Sequence, residues 1–89
     1  MPSITIKETG LEYNLIDPTF NVIGKAMGKI ASSPDNLFEA GKLIFDACYL
    51  QNNEKLSDLQ ENKNAKLYAT LCLNAAGLLD LYEAELKKN

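Results

Sequence analysis

Two cysteines, Cys48 and Cys72, are the side chains of this 89-residue sequence best suited to nucleophilic chemistry. A thiol becomes a catalytic nucleophile when a neighbouring base takes its proton, and histidine is the commonest base. The sequence contains no histidine. The two cysteines also lack the C-x-x-C spacing of a metal-binding or redox pair. We therefore expect two buried, reduced thiols, with a disulfide between them as the alternative.

Paired carboxylates are the next candidates for chemistry, because general acid–base catalysis needs titratable groups on one face of a site. Glu83 and Glu85 are two positions apart in a predicted helix, so they point in different directions. Asp80 and Glu83 share a face, as do Glu39 and Asp46 more loosely. A solvated helix face explains both of these pairs.

Two segments resemble ligand-binding loops in composition but not in spacing. Residues 51–62 (QNNEKLSDLQEN) lack the alternating Asp or Asn ligands and the turn glycine of a calcium loop. Residues 24–29 (GKAMGK) lack the spacing of a phosphate-binding loop, and no strand is predicted before them. The sequence therefore predicts a protein that is not an enzyme and that needs no cofactor and no metal.

Composition narrows the classes of partner. All nine basic residues are lysines and the formal net charge is −3, which argues against a nucleic-acid partner. No apolar run approaches the roughly 20 residues that a membrane span requires. The N-terminal residues lack the basic-then-apolar order of a signal peptide. We expect a cytoplasmic protein whose partner is another protein, a second copy of the chain, or both.

The first predicted element of the chain is a β-hairpin over residues 3–16. Apolar residues alternate with polar ones on both sides of Thr9-Gly10, which is the period of a strand, and that pair is a plausible turn. This turn would place Ile6 opposite Tyr13 and Ile4 opposite Leu15. One face of the hairpin would then be apolar and would have to lie on the helices that follow.

Helices are predicted over residues about 18–32, 34–51 and 65–87, with a polar loop over 52–64. The first has one apolar face, formed by Phe20, Ile23, Met27 and Ile30. Gly24 and Gly28 are four positions apart in it, and either a close helix contact or simple tolerance explains them. The predicted fold is a single domain, mainly α (α+β), in which the hairpin precedes a three-helix bundle.

The second predicted helix is apolar almost all round, which is typical of a buried helix. One stripe includes Leu37, Ala40 and Ile44, and a second stripe carries three aromatic residues. Two leucines of the last helix also fall away from its main apolar face. These side chains are either core or the contact surface for a partner. The candidate interface residues are Phe38, Phe45, Tyr49, Leu73 and Leu81.

Parts of the sequence resemble small proteins of tailed bacteriophages. Residues 40–50 (AGKLIFDACYL), followed by a polar loop, and residues 78–88 (LLDLYEAELKK) are similar to segments of such proteins. The hairpin ending in Tyr13-Asn14-Leu15 before Pro18-Thr19 resembles the N-terminal layout of phage tail assembly chaperones. That resemblance implies a non-enzymatic role, in which the chain shields apolar segments of tail proteins such as the tape measure. It implies no residue-level site.

The sequence thus favours a protein-interaction or assembly module, of phage origin and self-associating, in the host cytoplasm. Two alternatives stay open. One is a phage inhibitor that binds a host defence protein, for which clustering of the acidic residues on one face would be expected. The other is a small-ligand-binding domain with a cavity between the hairpin and the helices.

Overall fold

A computed structural model describes residues 1–81 and 84–87 of the chain. The described part is mainly helical with an N-terminal two-stranded antiparallel hairpin, which confirms the predicted class. The strands are β1 (Ser3–Thr5) and β2 (Glu12–Asn14), and the helices are α1 (Phe20–Ser32), α2 (Leu37–Cys48), α3 (Leu56–Leu59) and α4 (Ala65–Ala75). Short 3-10 turns cover Pro34–Asn36, Asn62–Asn64 and Ala76–Leu79.

The hairpin forms with a register two residues away from the predicted one. Ile4 pairs with Tyr13 rather than with Leu15. The turn is longer than the two residues expected and ends at Gly10, whose φ of 72° favours glycine. Because side chains alternate with a period of two, this shift leaves the same residues on the apolar face. Tyr13 and Leu15 of that face are buried.

The chain after α2 covers the outer edge of β2. Leu15 forms an antiparallel bridge with Tyr49, and the Leu50 amide donates to the Asn14 carbonyl at 2.9 Å. The Asn52 side chain continues this edge, because its Oδ1 accepts from the Asn14 amide and its Nδ2 donates to the Glu12 carbonyl, both at 2.9 Å. The second helix therefore ends at Cys48 rather than at 51, since Tyr49 adopts an extended conformation to pair with the hairpin.

Each of the first two helices begins a little later than its predicted start. Thr19 caps α1, with its hydroxyl accepting from the Val22 amide at 3.3 Å, which satisfies one amide at the helix end. Ser33 caps the 3-10 turn Pro34–Asn36 in the same way. Helix α2 then begins at Leu37 without a side-chain cap.

Helix α2 lies centrally and packs against both α1 and α4. Within the described residues no comparable contact joins α1 to α4. The described chain also holds four α-helices rather than the three expected, so a three-helix bundle is not confirmed. Instead, α1 and α4 cover α2 from two sides, and the hairpin pairs with the chain at the C-terminal end of α2.

Aromatic rings fill the centre of this arrangement. Phe45 stacks on Tyr49 with ring centroids 4.8 Å apart, and it meets the edge of Tyr68 at 6.0 Å. Tyr13 from the hairpin lies 6.0 Å from Tyr49. Phe45 is 0% exposed and Tyr49 is 7% exposed. The aromatic stripe of the second helix was expected to be either core or interface. Phe45 and Tyr49 belong to the core, because the hairpin and α4 cover them.

The predicted polar loop 52–64 carries structure of its own. It contains α3 and the 3-10 turn Asn62–Asn64. Leu59 of α3 is fully buried and Leu56 is half-buried, so two leucines anchor an otherwise polar segment to the core. Cys48 and Cys72 are both free and buried, as expected for reduced core thiols.

The last helix is much shorter than the predicted 65–87. Helix α4 ends at Ala75, a 3-10 turn follows to Leu79, and Asp80 is extended. Gly77 favours this early end, because glycine costs about 1 kcal/mol in a helix interior. Residues 84–87 are exposed and form no helix, so the following turns would bury little apolar surface. Tyr82 and Glu83, which the prediction also placed on this helix, lie outside the described residues.

Candidate interaction surface

The five predicted interface residues do not form one surface. Phe45 and Tyr49 belong to the core, so that part of the predicted interface is wrong. Phe38 on α2 is 37% exposed and Leu73 on α4 is 53% exposed, but they lie on different helices. Leu81 is 52% exposed and lies next to α1. The extended apolar surface of the described chain lies instead along α1.

Helix α1 turns only a small part of its surface toward the core. Among its residues, all of which the structure describes, Ala26 alone is buried. Val22 and Ile30 flank it and pack partly against the core. At ~100° per residue, these three side chains occupy one side of the helix, centred on Ala26. Of the predicted apolar face, Ile30 therefore packs partly against the core, whereas Phe20 and Met27 are exposed.

An apolar stripe lies roughly a third of a turn around α1 from Ala26. Its residues recur at spacings of three and four, and we call them the α1 apolar face: Phe20, Ile23, Gly24, Met27 and Ala31. Phe20 is 87% exposed and Met27 is 43% exposed. A phenylalanine this exposed leaves nearly all of its apolar surface in water, which a folded chain usually avoids.

The two glycines of α1 leave open space on this side of the helix. Within the described part of the chain, no atom lies within 4 Å of the position that a Cβ would take at Gly24 or Gly28. The close helix contact considered for this pair therefore does not occur among the residues that the structure describes. The glycines instead form shallow depressions between the large side chains of the face.

An apolar groove of about 260 Å³ continues the α1 apolar face at its C-terminal end. One wall comes from α1 and the other from the segment after α4. The lining residues are Met27, Ile30, Ala31, Leu79 and Leu81. The predicted interface residues include Leu81 but not Met27 or Ile30, which periodicity placed on the apolar face of the first helix.

Two other grooves carry charged or polar side chains in their lining. The larger, of about 510 Å³, lies between α1 and α2 and is lined by lysines and acids, including Lys25, Lys29 and Glu39. The smaller, of about 230 Å³, lies between the hairpin and α4. The latter is the place where a small-ligand site was expected, and it is below the ~300–1,000 Å³ typical of such sites.

Two ionisable groups of the larger groove, Lys42 and Asp46, pair with each other. Lys42 Nζ lies 3.0 Å from Asp46 Oδ2, and the hydrogen bond and charge of this carboxylate raise the pKa of Lys42. Tyr68 donates its hydroxyl proton to the other carboxylate oxygen and accepts from Gln60 Nε2 at 3.1 Å. Asp46 therefore joins α2 to α4, and its two oxygens already accept hydrogen bonds.

The buried thiols are poorly suited to nucleophilic chemistry. Burial raises the pKa of Cys48, and it raises the pKa of Cys72 to about 11. A thiol with a raised pKa stays protonated at neutral pH, and only the thiolate is a strong nucleophile. Neither cysteine lies open to solvent, since Cys48 is 2% exposed and Cys72 is 0% exposed.

Comparison with known proteins finds no family model, no curated protein and no solved structure that matches this chain. None of the helices in the described ranges combines the length and apolarity needed to cross a membrane. Residues 1–81 and 84–87 bring together no group of three or more Cys, Asp or Glu side chains that could hold a metal ion.

Proposed function

We propose that this protein is a non-enzymatic interaction module whose α1 apolar face binds an apolar segment of a partner protein. The observation that carries the proposal is Phe20, which is 87% exposed at the start of a continuous apolar stripe. Aromatic residues are enriched at the energetic centres of protein interfaces. Burying one such side chain contributes roughly 1.5–3 kcal/mol.

The shape of the surface suits a helical partner. Helix α1 has 13 residues and is therefore about 20 Å long at ~1.5 Å per residue. Its glycines form depressions, and the apolar groove lies at its far end. A partner helix with apolar residues at i, i+3, i+4 and i+7 would bury one stripe against the other, as in helix-in-groove recognition.

The class of partner follows from the resemblance to phage tail assembly chaperones. On that reading, the chain covers apolar segments of a tail protein, such as the tape measure, before the tail assembles in the host cytoplasm. In this proposal the partner binds the α1 apolar face, and not the aromatic side of α2 that the sequence suggested.

Peptide binding tests the proposal directly. The probe is a fluorescein-labelled 18-residue amphipathic peptide with leucines at helical spacing and alternating Glu and Lys elsewhere. We expect saturable binding by fluorescence anisotropy at low micromolar protein. The double substitution Phe20→Ser with Met27→Ser removes the two large exposed side chains of the face, so the dissociation constant should rise at least tenfold.

Leu86→Ser is the matched control, because Leu86 is 84% exposed but lies away from α1 in sequence and outside the apolar groove. Its dissociation constant should equal that of the parent chain. If the peptide does not bind, or binds the double variant as well as the parent, the α1 apolar face is not a recognition surface and the proposal is wrong.

A further inference from the structure

We propose that the α1 apolar face is complementary to itself, and that its occupant in the absence of another protein is a second copy of this chain. The two α1 helices would lie antiparallel about a two-fold axis between Lys25 and Ala26. Phe20 of each copy would then enter the apolar groove of the other. The inference rests on the proposed function only because both use the α1 apolar face.

The first argument is the position of the exposed ring relative to the groove. Phe20 and Ala31 are 11 residues apart, which is close to three full helical turns, so both lie on one side of α1. They are separated by about 16 Å along the helix axis. One end of the face therefore carries a projecting ring and the other end carries a hollow. A two-fold axis between them brings each ring to the hollow of the second copy.

The second argument is the alternation of large and small residues along the face. The antiparallel arrangement pairs Phe20 with Ala31 of the second copy, and Gly24 with Met27. Each pair joins a large side chain to a small one. Such pairing lets two helices approach closely without a clash and fills the open space beside Gly24.

The third argument is the volume of the groove. It measures about 260 Å³, and its lining residues are all apolar. An apolar cavity of about 150 Å³ is large enough to hold benzene. The groove therefore has room for the phenylalanine ring, and Leu79 and Leu81 would cover that ring on the side away from α1.

Charge does not oppose this contact. Helix α1 contains two charged residues, Lys25 and Lys29, and both face the polar groove between α1 and α2 rather than the apolar face. Pairing the two faces therefore buries no unpaired charge, which would be costly. Because each copy contributes one short helix, we expect a reversible dimer that dissociates at low micromolar concentration.

Sedimentation velocity over a series from low micromolar to low millimolar protein tests the inference. The parent chain should change reversibly from monomer to dimer. Phe20→Ser removes the projecting ring, and Gly24→Leu fills the depression that receives Met27. Each should raise the dimer dissociation constant at least tenfold. Gly24→Leu discriminates best, because it adds apolar surface and would strengthen non-specific association.

Leu86→Ser is again the control and should leave the dimer unchanged. Circular dichroism at low concentration shows whether each variant folds; Gly24→Leu should, since the space beside Gly24 is open. A parent chain that stays monomeric at low millimolar concentration would overturn the inference, as would a dimer that tolerates both substitutions. The peptide assay is run where the chain is monomeric, so loss of peptide binding and loss of the dimer are separate results.

Discussion

Gly41 sets the distance between α2 and α4. A Cβ placed on this residue would lie 1.9 Å from the carbonyl oxygen of Cys72 and 3.2 Å from the Cβ of Ala76. The first distance is far inside van der Waals contact, and the atom it meets is backbone. The absence of a side chain at this one position therefore lets two helix backbones touch and brings Phe45 within reach of Tyr68.

Gly41→Ala should lower the free energy of unfolding by at least about 2 kcal/mol, because overpacking of a rigid contact outweighs the helix propensity gained. Urea denaturation at low micromolar protein measures the change. Gly28→Ala is the matched control, since the space beside Gly28 is open and alanine should stabilise α1 by roughly 0.5–1 kcal/mol. Equal effects of the two substitutions would contradict the close approach seen at Gly41.

At the scale of elements, the outer edge of the hairpin is hydrogen-bonded by one side chain in the place where a neighbouring strand would pair. The outward amide of Asn14 and the outward carbonyl of Glu12 belong to the free edge of β2. Asn52 meets both with its carboxamide, in the way that a neighbouring strand would with its backbone. This covers an edge that would otherwise be open to pairing with another chain.

Asn52→Ala leaves the Asn14 amide without its partner, whereas the Glu12 carbonyl still accepts from Asn53 Nδ2. The substitution should therefore cost about 1–2 kcal/mol of unfolding free energy. Thermal and urea unfolding followed by circular dichroism measure it. Asn21→Ala, at an exposed position of α1, is the control and should change stability by no more than about 0.5 kcal/mol. If both substitutions have the same small effect, the Asn52 contacts do not hold the hairpin in place.

The elements show how far local patterns determine structure. Strand alternation correctly predicted which face of the hairpin is apolar, because a two-residue shift of register preserves it. The register itself was wrong, since a longer turn ending at Gly10 is as consistent with the sequence as a two-residue one. Helix starts were predicted to within two or three residues, but the end of α4 was not, because only tertiary contacts decide how far a helix continues.

At the scale of the molecule, the sequence indicated a surplus of apolar surface but assigned it to the wrong helix. The aromatic stripe of α2 is closed over by the hairpin and α4, so Phe45 and Tyr49 are core. Of the apolar face that periodicity predicts on α1, Ile30 packs partly against the core but Phe20 and Met27 stay exposed, because α1 packs around Ala26. Periodicity identifies an apolar face, whereas the partner of that face depends on contacts between distant segments.

The buried phenols and thiols should make the whole molecule sensitive to alkali. Burial is the main cause that raises the pKa of Tyr13 to about 12 and that of Cys72 to about 11, and it also raises the pKa of Tyr68. These groups stay protonated in the folded chain at a pH where the unfolded chain releases their protons. The unfolded state then binds fewer protons, so stability falls as pH rises.

We expect the free energy of unfolding to be constant near pH 7–8, to fall above about pH 9 as the thiols begin to contribute, and to fall more steeply above about pH 10 with the phenols. Each group that keeps its proton in the folded chain but loses it in the unfolded chain lowers the free energy of unfolding by up to about 1.4 kcal/mol per pH unit. Urea titrations from pH 7 to 11 measure the profile. Tyr68→Phe should make the decline above pH 10 shallower, and a flat profile to pH 11 would contradict the buried state of these groups.

The placement of the two cysteines gives the chain its own reporters of transient opening. Cys48 on α2 and Cys72 on α4 are sealed from a maleimide reagent until the helices separate. The rate at which each becomes alkylated therefore measures how often that site opens, without any probe having been introduced. Mapping the labelled peptides by mass spectrometry would show whether the two sites open together or whether one helix loosens first.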